Sequence, residues 1–241
     1  MKNLRKILNN MNIPKHRNIS LKILKDIYGD PSVGTVLGFK GGTAAMFFYE
    51  LDRFSVDLDF DLLDQEKEDY VFDKINIILS KYGIVKEARK KRFNLLYILS
   101  YTGKSPKDHN IKIEINRRSF GSKYDIRSFL GISMQVMVQE DMFANKFCAL
   151  YERIGKTNRD IYDVWFFLNN NWPINKKIIE KRFNMSYLEF LKKVIKVMDQ
   201  FDNKNILAGM GELVNEKQKI WIKSKLKKEV LFLLRLELDS D

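Results

Sequence analysis

The feature that most constrains the fold of this chain is a change in the spacing of its apolar residues near residue 138. Before that point, short apolar runs and runs of alternating polarity predict strands, interrupted by helical stretches. After it, apolar residues recur every three or four positions, which predicts helices. We therefore expect an α/β (α+β) region with a mixed sheet flanked by helices over residues 1–138, and an all-helical region over residues 139–241.

The individual elements follow from the same periodicities. Strands are predicted at residues 35–39, 55–62, 93–101 and 110–116. The last two strands should form a hairpin around the turn at residues 102–106. Helices are predicted as two short segments up to residue 28, at residues 44–51, at residues 70–82 with Phe72, Ile75, Ile78 and Leu79 facing inward, and at residues 217–238.

The scarcity of cysteine and histidine excludes several kinds of site. Cys148 is the one cysteine, so neither an internal disulfide nor a cysteine-rich zinc site can form, and its apolar surroundings predict a buried, inert thiol. The two histidines, His16 and His109, are far apart in the sequence. This argues against a histidine-based catalytic triad or zinc centre, so an enzyme of this sequence would depend on carboxylates and lysines.

The charge balance predicts an anionic partner. Lysine and arginine number 43 against 31 acidic residues, a formal net charge of +12. Such a field attracts polyanions, which favours a nucleotide or a nucleic acid. No apolar stretch approaches the length of a membrane span, and residues 1–18 lack the apolar core of a signal peptide. We expect a cytoplasmic protein without a membrane partner.

The most informative motif is the acidic run at residues 57–61, where aspartate and apolar residues alternate. In a strand, alternate side chains share a face, so Asp57, Asp59 and Asp61 would stack along one side. Aspartate is a poor strand former and like charges repel, so such a row needs an offsetting cation. A solvated polar face is the alternative for this motif taken alone.

A second alternating run, at residues 111–116, places Lys112, Glu114 and Asn116 on one face. If this strand neighbours the acidic one, Glu114 can face Asp57 and Asp59. These three carboxylates would then be the catalytic, metal-binding residues of a two-metal cage for Mg²⁺ or Mn²⁺. Such a cage holds a triphosphate and activates an attacking hydroxyl. Alternatively, the third acid could act as a general base.

The segment Lys40-Gly41-Gly42-Thr43 lies between a predicted strand and a predicted helix. Paired glycines allow backbone N–H groups to approach a phosphate closely, and the helix N-terminus adds its positive dipole end. An ordinary Gly-Gly turn is the alternative. The Walker pattern of a P-loop is absent from the chain.

Two charged groups in the helical half are candidates for nucleotide binding. Lys146 lies within or beside an apolar helical stripe and Arg153 shares that face, so each needs a partner or must extend to solvent. A triphosphate is one candidate partner. Asp160 and Asp163 lie three residues apart at the start of the next helix, where acids also stabilise a helix N-terminus.

Together these motifs resemble the AbiEii/AbiGii toxin-like nucleotidyltransferases of the DNA polymerase β-type superfamily. The resemblance rests on five motifs in family order, between residues 38 and 168. They are Lys40-Gly-Gly-Thr-Ala, Arg53-Phe-Ser-Val-Asp-Leu-Asp-Phe, Lys112-Ile-Glu114, the helix with Lys146, and Arg159-Asp160-Ile-Tyr-Asp163. Residues beyond about 172 match no motif of the family.

The resemblance implies a polymerase-β-like core followed by a helical domain that completes the nucleotide cleft. It implies that Asp57 and Asp59 bind metal and that Gly42 and Thr43 contact phosphate. Nucleotide-binding roles extend to the remaining motif residues, Lys40, Gly41, Arg53, Ser55, Lys146, Asp160 and Asp163. Arg53 and Ser55 would also orient the acidic strand.

The implied reaction transfers a nucleoside monophosphate from a nucleoside triphosphate to an acceptor hydroxyl. The resemblance and the positive charge favour RNA, with tRNA first, as the acceptor. The resemblance also implies the toxin of a bacterial toxin–antitoxin or phage-defence pair, with a cognate antitoxin as partner. The alternatives are nucleotidylation of a protein or a small molecule such as an aminoglycoside, and an inactive module that binds nucleic acid.

Overall fold

A computed structural model describes residues 12–101 and 110–240 of the chain. By their contacts these residues separate into two compact units. The sheet unit contains the described parts of residues 1–50, 55–119 and 124–137, and the helical unit contains residues 51–54, 120–123 and 138–240. The predicted helix before residue 12 and the predicted turn at 102–106 lie outside the described residues.

The sheet unit is built on one mixed sheet of seven strands, in the order β3-β4-β5-β2-β1-β7-β6. The strands are β1 (Leu37–Lys40), β2 (Leu58–Leu62), β3 (Ile84–Lys90), β4 (Asn94–Ser100), β5 (Asn110–Asn116), β6 (Tyr124–Phe129) and β7 (Ile132–Met137). β2 runs antiparallel to β1 and parallel to β5, and β4 and β5 form the antiparallel pair that the sequence predicted.

The described part of this unit contains four α-helices, besides a 3₁₀ turn at Gln65–Lys67. They are α1 (Ile13–Tyr28), the short α2 (Pro31–Gly34), α3 (Gly41–Phe48) and α4 (Glu68–Ser80). α1 packs on α4 and β7, while α3 packs on β1 and β2. Phe39, Phe60 and Tyr97 are fully buried in the resulting core. α4 buries Val71, not Phe72, so the predicted inward face of this helix was wrong by one residue at its start.

Up to residue 240, the helical unit contains six α-helices, a 3₁₀ turn at Asn203–Asn205 and a π-helical turn. They are α5 (Gln139–Arg153), α6 (Arg159–Asn169), α7 (Lys176–Phe183), α8 (Tyr187–Gln200), α9 (Glu216–Trp221), the π-helical turn Ile222–Leu226, and α10 (Lys227–Ser240). α5 packs on α6 and α7, and α10 packs on α6 and α8. Phe143, Phe147, Phe167 and Phe190 interlock edge-on or tilted in its core. Aromatic pairs of this kind stabilise beyond the area that they bury.

These observations confirm the predicted fold class, with a mixed sheet flanked by helices and a helical C-terminal region. The predicted division at residue 138 as a domain boundary stays a prediction. Cys148 is buried as expected, and burial raises the pKa of its thiol to about 12, which leaves it unreactive. Among the described residues, no helix combines the length and apolar character that crossing a membrane requires.

Candidate active site

The acidic run of the sheet unit and the strand that carries Glu114 are direct neighbours. In the parallel pairing of β2 and β5, Asp59 lies opposite Glu114 and Asp61 lies opposite Asn116. Paired residues point to the same side of a sheet, so Glu114 shares a face with Asp59. Asp57 lies just ahead of β2, and its carboxylate contacts the same lysine ammonium as Glu114. We call Asp57, Asp59 and Glu114 the carboxylate centre.

Lys112 lies in the middle of the carboxylate centre. Its Nζ is 3.0 Å from Glu114 Oε2 and 3.6 Å from Asp57 Oδ2. Burial by itself would lower the pKa of Lys112, but the charges of Asp57, Asp59 and Glu114 outweigh burial and raise it. Three carboxylates therefore act on one cation at this place. Sequence reasoning placed Lys112 on this face but gave it no role.

Glu114 is held by a second donor. Asn94 Nδ2, at the start of β4, donates a hydrogen bond of 2.9 Å to Glu114 Oε1. With Lys112 on Oε2, both oxygens of this carboxylate are engaged by donors of the sheet itself. Since β4 was predicted only as the partner of β5, the contribution of Asn94 could not be anticipated.

Asp61 has a different role from the other two aspartates of the run. Its Oδ1 accepts from Lys40 Nζ at 2.5 Å and from Asn116 Nδ2 at 2.7 Å, while the Tyr124 hydroxyl donates to Oδ2. Gly38 makes room for Tyr124, because a side chain there would overlap the tyrosine ring. Asp61 therefore joins β1, β5 and β6, and its charge is balanced within the sheet.

The glycine turn lies directly against Asp59. Gly41 has a φ of +78°, and a Cβ at this position would overlap the carboxylate of Asp59. Glycine adopts this conformation without the penalty of other residues. Gly41 is also the first residue of α3, so the acid lies beside the N-terminus of a helix. This explains why the turn and the acidic run occur together.

Asp57 lies outside the strand, and side chains fix the segment that carries it. The Thr43 hydroxyl donates to the Asp57 carbonyl oxygen at 2.5 Å and lies 3.0 Å from Ser55 Oγ. His16 Nε2 lies 3.0 Å from the Val56 carbonyl oxygen. Because a carbonyl only accepts, this ring nitrogen is the donor. The predicted strand 55–62 thus begins only at residue 58, because these contacts replace the ladder before it.

His16 and Thr43 are both almost completely buried. His16 Nδ1 lies 3.1 Å from the Tyr101 hydroxyl, which completes the hydrogen bonding of its ring. Sequence reasoning assigned no role to His16, because its neighbours in the chain are polar. The Thr43 hydroxyl contacts the backbone of Asp57 and the side chain of Ser55, and the phosphate contact predicted for Thr43 stays a prediction. This geometry makes it a positioning residue for the acidic segment.

The candidate residues of the helical unit form a separate, buried ion network. Arg53 pairs with Asp163 through two parallel contacts, Nε to Oδ1 at 2.5 Å and Nη2 to Oδ2 at 2.7 Å. Lys146 Nζ lies 2.7 Å from Asp163 Oδ2 and 3.2 Å from Asp160 Oδ1. Arg153 Nη2 lies 2.8 Å from Asp160 Oδ2. The partners that Lys146 and Arg153 require are therefore the two aspartates.

Burial would raise the pKa of Asp163, but Arg53 and Lys146 outweigh burial and hold the pKa well below its ordinary value. Asp160 and Asp163 are both fully buried and ion-paired, so they do more than complement the dipole of their helix. They keep three cations inside the helical unit. The nucleotide-binding roles predicted for Arg53, Ser55, Lys146, Asp160 and Asp163 stay predictions.

With this geometry established, comparison with known proteins decides the family. A family model described as "Nucleotidyl transferase AbiEii toxin, Type IV TA system" matches residues 22–220. The chain belongs to this family. The protein is thus a toxin-like nucleotidyltransferase, as the sequence motifs predicted.

Solved structures share the fold of this AbiEii-family protein. JHP933 from Helicobacter pylori is 18% identical, with 96% of this chain and 94% of that chain covered and a TM-score of 0.60. MenT4, nucleotidyltransferase toxin Rv2826c from Mycobacterium tuberculosis H37Rv, is also 18% identical, with 98% and 90% covered and a TM-score of 0.58. At these identities the likeness concerns the fold alone. No curated protein matches the sequence.

Nucleotidyltransferases of this kind usually use divalent metals, and the donors of the AbiEii-family carboxylate centre suit them. Carboxylate oxygens are the ligands that Mg²⁺ and Mn²⁺ prefer. The attraction of all three acids for the Lys112 ammonium shows that the centre favours a cation. Yet within residues 12–101 and 110–240, no three acidic, histidine or cysteine side chains form a ready metal cluster. Lys112 stands among the acids that were expected to form it.

Proposed function

We propose that the carboxylate centre transfers a nucleoside monophosphate from a nucleoside triphosphate to the hydroxyl of an RNA acceptor, with Mg²⁺ or Mn²⁺ bound by its acids. The observation that carries this proposal is the convergence of Asp57, Asp59 and Glu114 from two adjacent strands around one cation. Family membership supports the same chemistry.

In the proposed reaction the acceptor hydroxyl oxygen forms a bond to the α-phosphorus. The bond from that phosphorus to the bridging oxygen of the β-phosphate breaks, and pyrophosphate leaves with the bonding electrons. The hydroxyl proton passes to a carboxylate oxygen of the centre, which acts as general base. A divalent metal held by these acids would supply charge neutralisation and lower the pKa of the attacking hydroxyl.

The glycine turn is the proposed phosphate contact. α3 begins at Gly41, and the backbone N–H groups of a helix N-terminus favour an anionic group. Thr43 and His16 fix the segment of Asp57 through hydrogen bonds to the backbone carbonyls of Asp57 and Val56. The turn and the carboxylate centre are adjacent through Gly41 and Asp59, so a triphosphate bound at the turn lies beside the acids.

A cluster of basic and aromatic side chains supports RNA as the acceptor. The guanidinium groups of Arg92 and Arg118 lie 4.9 Å and 4.8 Å from the centroid of the Phe93 ring, which is 45% exposed. We call Arg92, Phe93 and Arg118 the arginine corner. Exposed aromatic rings and arginines bind single-stranded nucleic acid through base stacking and phosphate contacts.

The arginine corner adjoins the carboxylate centre within the sheet unit. Phe93 directly precedes Asn94, whose side chain donates to Glu114. In the β4–β5 pairing, Asn94 also lies opposite Asn116. Arg118 follows Asn116 by two residues. A nucleotide stacked at the corner would therefore have its ribose near the acids. The net charge of +12 gives the same preference for a polyanion.

The deciding experiment incubates the chain with each labelled triphosphate, Mg²⁺, total tRNA and total cell protein, beside the Asp59→Asn variant. We expect label on RNA with the native chain and none with the variant. Label on protein would replace RNA as the acceptor. Absence of transfer from every triphosphate to every acceptor would contradict the proposed reaction.

The double variant Arg92→Gln/Arg118→Gln tests the acceptor site separately. We expect a rise of about tenfold or more in the KM for RNA, a weaker salt dependence, and an unchanged KM for the triphosphate. Arg89→Gln, at an exposed position of β3, is the matched control. Equal KM values for RNA in the double variant and the native chain would remove the arginine corner from the proposal.

The family also supports a cognate antitoxin as the partner of this chain. Expression of the native chain in a bacterial host should then arrest growth, and co-expression of the antitoxin should restore it. The Asp59→Asn variant should be harmless at the same expression level, because toxicity depends on transfer. Growth arrest by this variant would separate toxicity from the proposed reaction.

A further inference from the structure

Lys112 occupies a place among the acids that a second metal ion would be expected to fill. It belongs to β5, two residues before Glu114, and so shares a face with it. Extending the β2–β5 register by one residue places Lys112 opposite Asp57. The ammonium thus lies between an acid of each strand, at 3.0 Å from Glu114 and 3.6 Å from Asp57.

Glu114 is committed to donors of the protein. Asn94 engages Oε1 at 2.9 Å and Lys112 engages Oε2 at 3.0 Å. To coordinate a metal, an oxygen of this carboxylate would have to share itself with, or give up, a donor that the sheet already supplies. Its geometry is that of an anchor for the Lys112 ammonium, whereas a metal ligand directs an oxygen to an external cation.

The charges of the centre lead to the same conclusion. Lys112 brings one positive charge to within 3.0 Å of Glu114 and 3.6 Å of Asp57. This charge takes the place of positive charge that a second metal ion would supply to the three acids. Asp61 lies outside this count, because Lys40 balances its charge at 2.5 Å.

We propose that Lys112 replaces one of the two divalent cations of the expected cage, so that the carboxylate centre binds a single metal ion through Asp57 and Asp59. Lys112 is then a positioning residue that holds Glu114 and supplies a fixed positive charge. This inference rests on the proposed function, because it specifies how many cations that site takes.

The test counts Mn²⁺ ions on the full-length chain without nucleotide, by calorimetric titration and by electron paramagnetic resonance. We expect one ion on the native chain, with the spectrum of an isolated Mn²⁺. Lys112→Met should bind two ions, with the broadened spectrum of a coupled pair, and affinity for the first should rise roughly tenfold with the added net charge. Lys112→Arg should again bind one ion, because it keeps the positive charge.

Lys86→Met, at an exposed position of β3, is the matched control and should behave as the native chain. Two ions on the native chain, or an unchanged count and affinity in Lys112→Met, would overturn the proposal. The native count and Lys112→Arg decide the matter even if Lys112→Met fails to fold.

Asp59→Asn separates this inference from the proposed function. Loss of Mn²⁺ binding in that variant, together with an unchanged Lys112→Met, would leave the metal site intact and reject only the role of Lys112. Absence of any Asp59-dependent Mn²⁺ binding in the native chain would reject the metal site itself and the Lys112 role with it.

Discussion

Each unit of the protein contains a group of carboxylates and cations in contact, but the two groups differ in burial and in the ratio of acids to cations. In the carboxylate centre three acids face one lysine, and the side chains of Asp57 and Glu114 remain 14% and 32% exposed. In the helical unit two aspartates, 1% and 0% exposed, face Lys146 and two arginines.

The difference shows which group is available for chemistry. The helical network sets three cations against its two buried acids, and removing one acid would leave a buried cation uncompensated. The carboxylate centre brings three like charges together around one lysine, and an added cation lowers their mutual repulsion. We therefore expect substitutions in the helical network to affect mainly stability, and substitutions in the carboxylate centre to affect mainly activity.

The largest expected effect is on activity at the carboxylate centre. Asp59→Asn should reduce transfer by at least about 100-fold, since metal ions supply several kcal/mol of transition-state stabilisation. Its melting temperature should equal or exceed that of the native chain, because the change removes one of three like charges. Single-turnover kinetics and calorimetry measure the two quantities. A large drop in melting temperature would show that Asp59 stabilises the fold, as we expect of the acids in the helical network. The contrast between the two groups would then be wrong.

The next effect is on stability in the helical network. Asp163→Asn should lower the free energy of unfolding by about 3–5 kcal/mol, because Arg53 and Lys146 would lose a fully buried partner. Urea denaturation followed by circular dichroism measures this change. Asp239→Asn, at an exposed position of α10, is the control and should leave stability unchanged. Native stability in Asp163→Asn would show that the network is not what stabilises this unit.

The lowered pKa of Asp163 predicts that the free energy of unfolding depends on pH. Its folded-state pKa lies below the ordinary value of 3.8, since Arg53 and Lys146 outweigh the opposing effect of burial. A lowered carboxylate pKa adds stability above the unfolded-state pKa, and this stability is lost as the pH falls towards the folded-state value. The stability difference between the native chain and Asp163→Asn should therefore narrow between about pH 5 and pH 3. A constant difference would argue that other groups govern acid unfolding.

The smallest expected effect is at Gly41, where a positive φ and a close approach to Asp59 both favour glycine. Gly41 and Gly131 have φ values of +78° and +77°, so alanine causes the same backbone strain, about 1 kcal/mol, at either position. Only at Gly41 would the new Cβ meet Asp59, since nothing lies within 4 Å at Gly131. Gly41→Ala should weaken Mn²⁺ binding, whereas Gly131→Ala should not. Equal Mn²⁺ affinities in the two variants would mean that Gly41 matters only for backbone conformation.

Much of the fold follows from local pattern. The alternation at residues 110–116 correctly predicted β5. Its hairpin partner β4 is shorter than the predicted strand 93–101 by one residue at each end. The acidic strand was predicted three residues too long, because the contacts of Thr43 and His16 with residues 55–57 depend on side chains far away in the sequence. Periodicity reports which face a residue occupies, but not where a ladder ends.

The residues of the site divide in the same way. Asp57, Asp59 and Asp61 are equivalent by strand period, yet Asp61 is distinguished by Lys40, Asn116 and Tyr124, the last of them 63 positions away. Likewise, the sequence showed that Lys146 needed a partner, and the structure provides Asp160 and Asp163.

The sequence by itself determined the class of fold, the family and the shared face of the acids, because strand and helix periods are local properties of the chain. Only the tertiary structure decided which acids are neutralised and by which cation. Charge balance depends on distances of 3–4 Å between side chains from different strands and helices, and these distances are set by strand register and packing.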